Sequence, residues 1–314
     1  MRAFLFPGQG SQVVGMGLEL YNNFTTAKEV FNEINDTLNF DLKKVTFEDP
    51  GNTLGLTENT QPAIMSVSMT IIAVLEKDFG FNLKNHVNFV AGHSLGEYSA
   101  LAANKSFSLP VVAKLLRSRG KAMQACSPIG LGAMAAILGI DNLTKIEELI
   151  AKFKEPEEIC VIANDNCLGQ TVISGHSRSI NKICDHAKEF GASRAVKLTV
   201  SGSFHSPLMQ KAAETIAEEL NYVKINAPQI PVISNVVASP IFDKEEIKAL
   251  LVAQITQVVR WRDSMHTLIR LGVDEVVEVG EGNVLTNLMK RIDPTVKRVN
   301  IKTPADIENF VKSL

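Results

Sequence analysis

The fold is decided by residues 86–103, which read HVNFVAGHSLGEYSALAA. The pattern predicts a buried strand at 86–91 and a helix of small residues at 94–103, with only a glycine and a histidine between them. This is a G-x-S-x-G elbow, in which a tight strand-to-helix turn presents a serine above a sheet. Ser94 is therefore a candidate nucleophile, and the N–H of Leu95 at the helix N-terminus is a candidate oxyanion donor. The alternative is a glycine-rich turn with an idle serine.

Strands and helices alternate on both sides of the elbow, which predicts an α/β fold whose main domain is hydrolase-like with a parallel sheet. One long helix is predicted at 60–79, with Thr60 as its cap. The segment 128–198 follows a different pattern, β-α-β-β-α-β, which is the order of a ferredoxin-like α+β domain. We therefore predict a catalytic domain formed by 1–127 and 199–314, interrupted by a small inserted domain at 128–198.

Composition restricts the class of protein. The 314 residues contain 32 Lys and Arg against 34 Asp and Glu, without the basic excess of a general nucleic-acid binder. The most apolar stretch, 63–75, is too short to span a bilayer, and the chain turns at Pro7-Gly8 before a signal-peptide core could form. The four cysteines lack CxxC spacing, which argues against zinc or a redox pair. We expect a soluble cytoplasmic protein with no nucleic-acid or membrane partner.

A nucleophilic serine needs a base, and the chain has six histidines. His205 differs from the others because it lies in the loop 201–207, SGSFHSP, between a predicted strand and a predicted helix. The ends of strands are where α/β proteins place site residues. His93 lies inside the elbow, where its side chain should point away from Ser94, and the other four are expected at the surface. His205 is therefore the candidate base.

Arg119 lies within the apolar face of a predicted helix. The stripe at spacings of three and four is formed by Val112, Leu115, Leu116 and Met123. An inward guanidinium needs an anionic partner, and its planar fork suits a carboxylate. The partner is either an internal Asp or Glu in a structural ion pair, or the carboxylate of a substrate.

Five motifs together resemble the malonyl-CoA:acyl carrier protein transacylases of bacterial type II fatty acid synthesis. They are FPGQGSQ at 6–12, GHSLGEY at 92–98, RGKAMQ at 119–124, SFHS at 203–206 and VG at 279–280. The first motif alone would be a plain turn, since it is neither a dinucleotide fingerprint nor a phosphate loop. The five occur in order over essentially the whole chain, which makes the set far more specific than any member.

The resemblance implies transfer of a malonyl group from malonyl-CoA to the phosphopantetheine thiol of acyl carrier protein, through a malonyl-serine and with release of CoA. It implies no metal and no other cofactor. Ser94 would carry the acyl group, His205 would be its base, and Arg119 would bind the malonyl carboxylate. Gln9 and Leu95 would form the oxyanion hole.

The resemblance also implies a role for Gln254, whose main-chain carbonyl would orient the base. Gln254 precedes Trp261, as the corresponding Gln precedes a Trp in the family. The chain departs from the family pattern between them, with Gln257-Val258 where the family tends to have Asn-Pro. A shape of this loop that differs from the family's is therefore expected, without a change in the chemistry.

Three alternatives remain open from the sequence. The carrier could serve polyketide rather than fatty acid synthesis. A serine hydrolase of the α/β-hydrolase type would use a late histidine, here His266 with Asp263 or Asp274. A non-catalytic carrier-binding subunit would retain the elbow as a relic.

Overall fold

The computed structural model describes residues 1–127, 130–200 and 202–314, and within them the strands form two sheets. In chain order the strands are β1 (Arg2–Phe6), β2 (Phe89–Gly92), β3 (Gly132–Leu138), β4 (Cys160–Cys167), β5 (Gln170–His176), β6 (Arg194–Lys197), β7 (Val232–Ile233), β8 (Pro240–Ile241), β9 (Glu275–Val279) and β10 (Lys297–Ile301). The larger sheet has the order β10-β9-β1-β2-β7-β8 and is parallel except for the edge strand β8. The smaller sheet is antiparallel. A mixed α/β fold with a parallel sheet is therefore confirmed.

Helices cover both sheets and account for most of the chain between the strands. They are α1 (Leu18–Asn23), α2 (Thr25–Leu38), α3 (Leu42–Phe47), α4 (Thr57–Phe79), α5 (Leu83–His86), α6 (Leu95–Ala103), α7 (Leu109–Ala125), α8 (Leu143–Phe153), α9 (Ser177–His186), α10 (Gln210–Asn221), α11 (Lys244–Gln254), α12 (Trp261–Arg270), α13 (Val284–Ile292) and α14 (Pro304–Lys312). Within the described ranges, none of these helices has both the length and the apolar character needed to cross a bilayer.

The core of the main part lies on both faces of the parallel sheet. Alternate residues of β1 point to opposite faces: Phe4 and Phe6 belong to one buried cluster, Ala3 and Leu5 to the other. The first cluster includes α4, α6 and α7, and the second includes Trp261 and other residues of α12. Burial on both faces is typical of parallel sheets and explains why residues 3–6 of β1 are apolar on both faces.

The smaller sheet is built from one contiguous part of the chain, in the order β3-α8-β4-β5-α9-β6. Its strands lie in the order β4-β5-β3-β6, with α8 and α9 packed on a core of their own that contains Ile137, Ile146 and Ile183. The predicted order of elements is therefore observed. The predicted first residue of this unit, Pro128, lies outside the described residues, as does Ser201 in the returning loop, so the proposed boundaries stay a prediction.

The two parts are joined by main-chain hydrogen bonds and a buried ion pair. Val259 donates to the carbonyl of Ala163 at 2.8 Å and accepts from the N–H of Asp165 at 3.0 Å. The loop before α12 is thereby paired with β4. The carboxylate of Asp165 forms an ion pair with Arg262 at 2.9 Å. These contacts fix the small sheet against the carboxyl edge of the large one.

Two boundaries near the elbow differ from the sequence prediction. The helix predicted from Thr60 begins at Thr57, so Pro62 lies inside α4 rather than in its first turn. The strand predicted at 86–91 is β2, which starts at Phe89 because residues before it form the short helix α5, capped by the side chain of Asn82. Several elements were not predicted: α1, α2, α3, α13, α14, β8 and β10.

The two glycines of the elbow allow α6 to lie directly against the sheet. A Cβ on Gly92 would lie 1.9 Å from the carbonyl group of Gly96, and a Cβ on Gly96 would lie 2.1 Å from the carbonyl oxygen of Phe6. These neighbours are backbone atoms, which cannot move away as a flexible side chain could. Gly92 pairs with Phe6 in the parallel ladder, so the contact sets the position of the helix start relative to β1 and β2.

We expect Gly92→Ala to lower the free energy of unfolding by about 3 kcal/mol, because the added methyl group forces apart the backbone of β2 and the backbone of α6. Urea unfolding followed by the fluorescence of Trp261, the single tryptophan, measures this. Gly55→Ala is the matched control, since a Cβ there meets open space. Equal stability of the two variants would contradict the steric account.

Candidate active site

Ser94 lies at the turn between β2 and α6 in a strained backbone conformation, with φ 53° and ψ −109°. Its N–H donates a hydrogen bond to Asn235 Oδ1 at 2.8 Å, and Asn235 Nδ2 donates to the carbonyl of Gly92 at 2.7 Å. Asn235 follows β7, the neighbour of β2 in the sheet. Its amide therefore holds the end of β2 and the strained serine in one arrangement.

His205 lies within hydrogen-bond distance of the serine. Its Nε2 is 2.8 Å from Ser94 Oγ, and its Nδ1 is 2.8 Å from the main-chain carbonyl oxygen of Gln254. A carbonyl only accepts, so the ring proton is on Nδ1, and the lone pair of Nε2 faces the serine hydroxyl. Burial, followed by the positive charge of Arg119, lowers the pKa of His205 to about 3. The imidazole is thus neutral at physiological pH and able to accept a proton.

Arg119 is 1% exposed on α7, as its place in the apolar stripe predicted. Its Nη1 donates to Gln61 Oε1 at 2.7 Å, and its Nη2 donates to Gln254 Oε1 at 2.9 Å and to Ser94 Oγ at 3.1 Å. The ring of Tyr98 lies 5.4 Å from the guanidinium carbon. All these partners are neutral, so among the described residues Arg119 has no carboxylate in a structural ion pair. A cation beside the serine is left for an anionic ligand.

Gln254, at the C-terminal end of α11, contacts both the base and the guanidinium. Its carbonyl accepts from His205, while its side-chain Oε1 accepts from Arg119. The side-chain Nε2 donates to the carbonyl of Ser94 at 3.0 Å and to Glu97 Oε2 at 2.6 Å. The substitution of Gln257-Val258 for the family's Asn-Pro leaves the Gln254 carbonyl within reach of the imidazole.

Two backbone N–H groups are available near the serine. Neither Leu95 nor Gln9 donates its N–H to another of the described residues, and both line the same cleft as Ser94. Gln9 comes close because the loop after β1 passes directly beside the elbow: a Cβ on Gly8 would lie 2.6 Å from the carbonyl oxygen of His93. The Gln9 side chain donates to Thr57 Oγ1 at 3.4 Å. Paired N–H groups beside a nucleophile are the usual means of stabilising an oxyanion.

The cleft above Ser94 is lined by both parts of the molecule. The small sheet and the chain that returns from it contribute Met134, Asn164, Leu198 and Val200, most of them apolar. On the other side lie the polar groups of the main part. An apolar wall facing a few convergent polar groups is typical of a binding site for a small organic group.

The structure brings together every site residue that the sequence singled out: Ser94, His205, Arg119, Gln9, Leu95 and Gln254. Their roles stay predictions. Sequence reasoning missed Asn235, Gln61 and a function for Glu97. Asn235 is the last residue of the strand that the pattern predicts at 232–235, and this position was a usable signal, because strand ends of a parallel sheet meet at one edge.

The residues of the hydrolase alternative lie elsewhere. His266 is on α12 and does not line the cleft. Asp263 is paired with Arg260, and Asp274 with the amino terminus at the opposite end of β9 from the cleft. Among the described residues, no three His, Cys, Asp or Glu side chains form a group that could hold a metal ion.

Comparison with known proteins decides the family. The family model of the acyl transferase domain matches residues 3–304. The malonyl CoA-acyl carrier protein transacylase of Bacillus subtilis is 43% identical over 312 residues, which cover 99% of this chain and 96% of that protein. The chain belongs to the malonyl-CoA:acyl carrier protein transacylase family. The hydrogen-bonded serine, histidine and arginine thus lie in a member of an acyl transferase family.

Solved structures of this transacylase family have the same fold. The acyl-carrier-protein S-malonyltransferase of Bartonella henselae is 46% identical, with a TM-score of 0.94 over 99% of this chain and 98% of that one. A second transacylase, solved in complex with a type II polyketide acyl carrier protein, is 34% identical, with a TM-score of 0.95 over 100% and 99% of the two chains. The likeness therefore extends over both sheets.

The buried neutral His205 should make the protein sensitive to acid. The folded-state pKa of about 3 lies below the ordinary 6.5, so below pH 6.5 the unfolded chain binds a proton that the folded chain does not. Stability contributed by this group is therefore complete above pH 6.5 and is lost as pH falls toward 3. Relative to His205→Asn, the wild-type free energy of unfolding should fall by about 1.4 kcal/mol per pH unit. The free energies come from urea unfolding at a series of pH values. The same dependence on pH in the two proteins would contradict the assignment.

Proposed function

We propose that the chain is an [acyl-carrier-protein] S-malonyltransferase, which moves a malonyl group from malonyl-CoA to the phosphopantetheine thiol of acyl carrier protein in fatty acid biosynthesis. The observation that carries the proposal is the hydrogen-bonded set of Ser94, His205 and Arg119 in one cleft. A nucleophile with its base supports covalent acyl chemistry, and a buried cation beside them supports an acyl group with a free carboxylate. The names of the relatives agree with both parts.

The first half-reaction loads the enzyme. His205 Nε2 accepts the proton of Ser94 Oγ as the oxygen attacks the thioester carbonyl of malonyl-CoA. The resulting oxyanion accepts hydrogen bonds from the N–H groups of Leu95 and Gln9. The carbon–sulfur bond then breaks, and the CoA thiolate takes the proton from His205. The products are malonyl-Ser94 and CoA.

The second half-reaction repeats these steps with a different thiol. His205 accepts the proton of the phosphopantetheine thiol, whose sulfur attacks the malonyl-serine ester. The same oxyanion donors serve the second tetrahedral intermediate, and Ser94 Oγ leaves with the proton from His205. One site thus serves both substrates in turn, which predicts ping-pong kinetics.

Arg119 supports selectivity for malonyl in two ways. Its buried positive charge binds the substrate carboxylate, whereas an acetyl group leaves that charge without an anion. The same charge lowers the pKa of His205. A carboxylate bound to Arg119 cancels part of this effect, so the base becomes stronger when the correct acyl group is present.

The architecture is proposed to follow the same family. The large sheet with its elbow supports a hydrolase-like catalytic domain of residues 1–127 and 199–314, and the β4-β5-β3-β6 order supports a ferredoxin-like inserted domain at 128–198.

Acyl carrier protein is the proposed partner, supported by the related complex with a carrier. Because that carrier belongs to a polyketide system, a polyketide acceptor is the second candidate. Comparing transfer to the two types of carrier protein decides between them.

The nucleophile is tested by mass spectrometry of the protein mixed with malonyl-CoA. Wild-type protein should gain the mass of one malonyl group on Ser94, and Ser94→Ala should gain none while remaining folded. Ser99→Ala is the control, since Ser99 is a buried serine in the same helix and its hydroxyl has no hydrogen-bond partner among the described residues. No adduct on the wild type would favour the non-catalytic carrier-binding subunit. An adduct on Ser94→Ala would place the nucleophile elsewhere.

The base is tested by comparing two histidine variants. His205→Ala should slow loading by at least about 100-fold, the usual effect of losing a general base. His266→Ala should load at the wild-type rate, because His266 lies outside the cleft. Stopped-flow measurement of CoA release reports the loading step. Slow loading in His266→Ala together with normal loading in His205→Ala would favour the hydrolase alternative.

Arg119 is tested by the ratio of malonyl to acetyl loading. Arg119→Ala should reduce kcat/KM for malonyl-CoA by roughly 100-fold, the effect of losing charge-assisted hydrogen bonds, and leave acetyl loading equal or improved. Arg117→Ala is the control on the same helix, because Arg117 contacts Asn59 and the ring of Phe40 instead of the cleft. Equal losses for both acyl groups would identify Arg119 as structural.

A further inference from the structure

Glu97, in the elbow motif, is a buried carboxyl that the transfer chemistry above does not use. Glu97 is the third residue after Ser94 and lies in the first turn of α6, where it is 1% exposed. One oxygen, Oε2, accepts from Gln254 Nε2 at 2.6 Å and from the N–H of Asn235 at 3.2 Å. A carboxylate buried without a directly paired cation is unfavourable, so a compensating function is expected.

The contact between Glu97 and Gln254 fixes which way the glutamine amide faces. On the Nε2 side lie two acceptors, Glu97 Oε2 and the carbonyl of Ser94; on the Oε1 side lies a donor, Arg119 Nη2. Rotating the amide by half a turn would place oxygen against two acceptors and N–H against the guanidinium. Both sides of the reversed amide would then lose their hydrogen bonds. Of the two acceptors on the Nε2 side, Glu97 Oε2 is the one that can carry a negative charge, and it accepts the shorter bond.

We propose that Glu97 is a positioning residue that acts on Arg119 through the side-chain amide of Gln254, and so sets the preference of the site for an acyl group that ends in a carboxylate. The proposal deepens the proposed malonyl transfer and rests on it. Glu97 does not touch the reacting atoms in this account. It keeps the guanidinium directed at the place beside Ser94 where the substrate carboxylate binds.

The charge of Glu97 adds a second effect that can be measured. The charged and titratable groups around it are Arg119 on α7, Tyr98 on α6 and, beyond Gln254, His205. Arg119 stays cationic, and the pKa values of Tyr98 and His205 lie at about 12 and about 3, so none of the three changes charge near neutral pH. Burial raises the pKa of Glu97 to about 7, against the hydrogen bonds from Gln254 and Asn235. Glu97 is the group of this set that titrates there.

The sign of the pH effect follows from the charges. Below pH 7 a neutral Glu97 leaves the net charge of the pair with Arg119 at about +1, and above pH 7 the two charges cancel. Oε2 can accept hydrogen bonds in both forms, so only the charge changes. Binding of a substrate carboxylate should therefore weaken as pH rises through 7, while binding of an acetyl group should not.

The experiment measures calorimetric dissociation constants for malonyl-CoA and acetyl-CoA, all in a Ser94→Ala background so that no transfer occurs. The quantity compared is the preference, the ratio of the two constants, in which effects on the shared CoA portion cancel. Glu97→Gln keeps an acceptor and removes the charge, whereas Glu97→Leu removes both. Glu278→Gln is the matched control, because Glu278 is also a fully buried carboxyl, bonded to Leu285 and Thr286 rather than to the site.

Glu97→Leu should reduce the malonyl preference by roughly 10- to 100-fold, the effect of losing a hydrogen bond to a charged group. Glu97→Gln should show, at every pH, the malonyl preference that the protein with Glu97 shows below pH 7. The preference of this variant should therefore not depend on pH. Glu278→Gln should leave the preference and its pH dependence unchanged. Thermal unfolding of each variant shows that the proteins compared are folded.

Two results would overturn the proposal. One is a loss of affinity in Glu97→Leu that is equal for malonyl-CoA and acetyl-CoA, which marks a packing role. The other is a preference that is independent of pH near 7 in the protein that retains Glu97. If that protein shows no preference for malonyl-CoA at all, the malonyl specificity of the proposed function fails instead, so the two failures are distinguishable.

Discussion

The backbone of α6 lies directly on the carboxyl edge of the parallel sheet, with no side chain between them. Gly96 contacts the carbonyl of Phe6, and Gly92 contacts Gly96. This close contact forces the sharp turn at Ser94 and brings the loops after β1, β2 and β7 together. The positions of the Gln9 and Leu95 N–H groups, of Ser94 and of the Asn235 amide all follow from it. A methyl group at either glycine would separate these parts before any side chain of the site was altered.

The electrostatics of the cleft depend on the choice of a neutral partner for His205. A carboxylate in place of the Gln254 carbonyl would lie close to Arg119 and would pair with it. The carbonyl orients the imidazole without neutralising the guanidinium, at the cost of a base whose pKa is about 3 in the free protein. In the proposed reaction, the carboxylate of the substrate would bring a negative charge to the guanidinium. The proposed ligand would thus affect both the binding of the acyl group and the strength of the imidazole as a base.

The sequence predicted the parts of the fold that depend on local pattern. The elbow, the order of elements from β3 to β6 and the burial of Arg119 follow from residue spacing, and the structure contains them. The start of α4 was placed three residues too late, because Pro62 resembles a first-turn proline but lies inside the helix. The pairing of Val259 with β4 joins segments that are far apart in the chain, so no local sequence pattern could predict it.

The site was predicted unevenly for the same reason. Ser94, His205 and Arg119 have side chains whose chemistry can be recognised in a sequence. The role of Gln254 came only from the family resemblance, since a main-chain carbonyl has no residue-type signature. Glu97 stood in the quoted motif without a function, because its effect depends on the direction of another residue's amide.

The chain leaves the main part and returns to it at neighbouring points. Ser127 and Ser203 have their hydroxyl oxygens 3.3 Å apart, and the N–H of Ser203 donates to the Ser127 hydroxyl. The ends of the intervening segment are therefore held together by the main part itself, whatever the segment folds into. The wall of the cleft that the small sheet forms is thus covalently attached to the main part at a single place, where the outgoing and the returning chain meet.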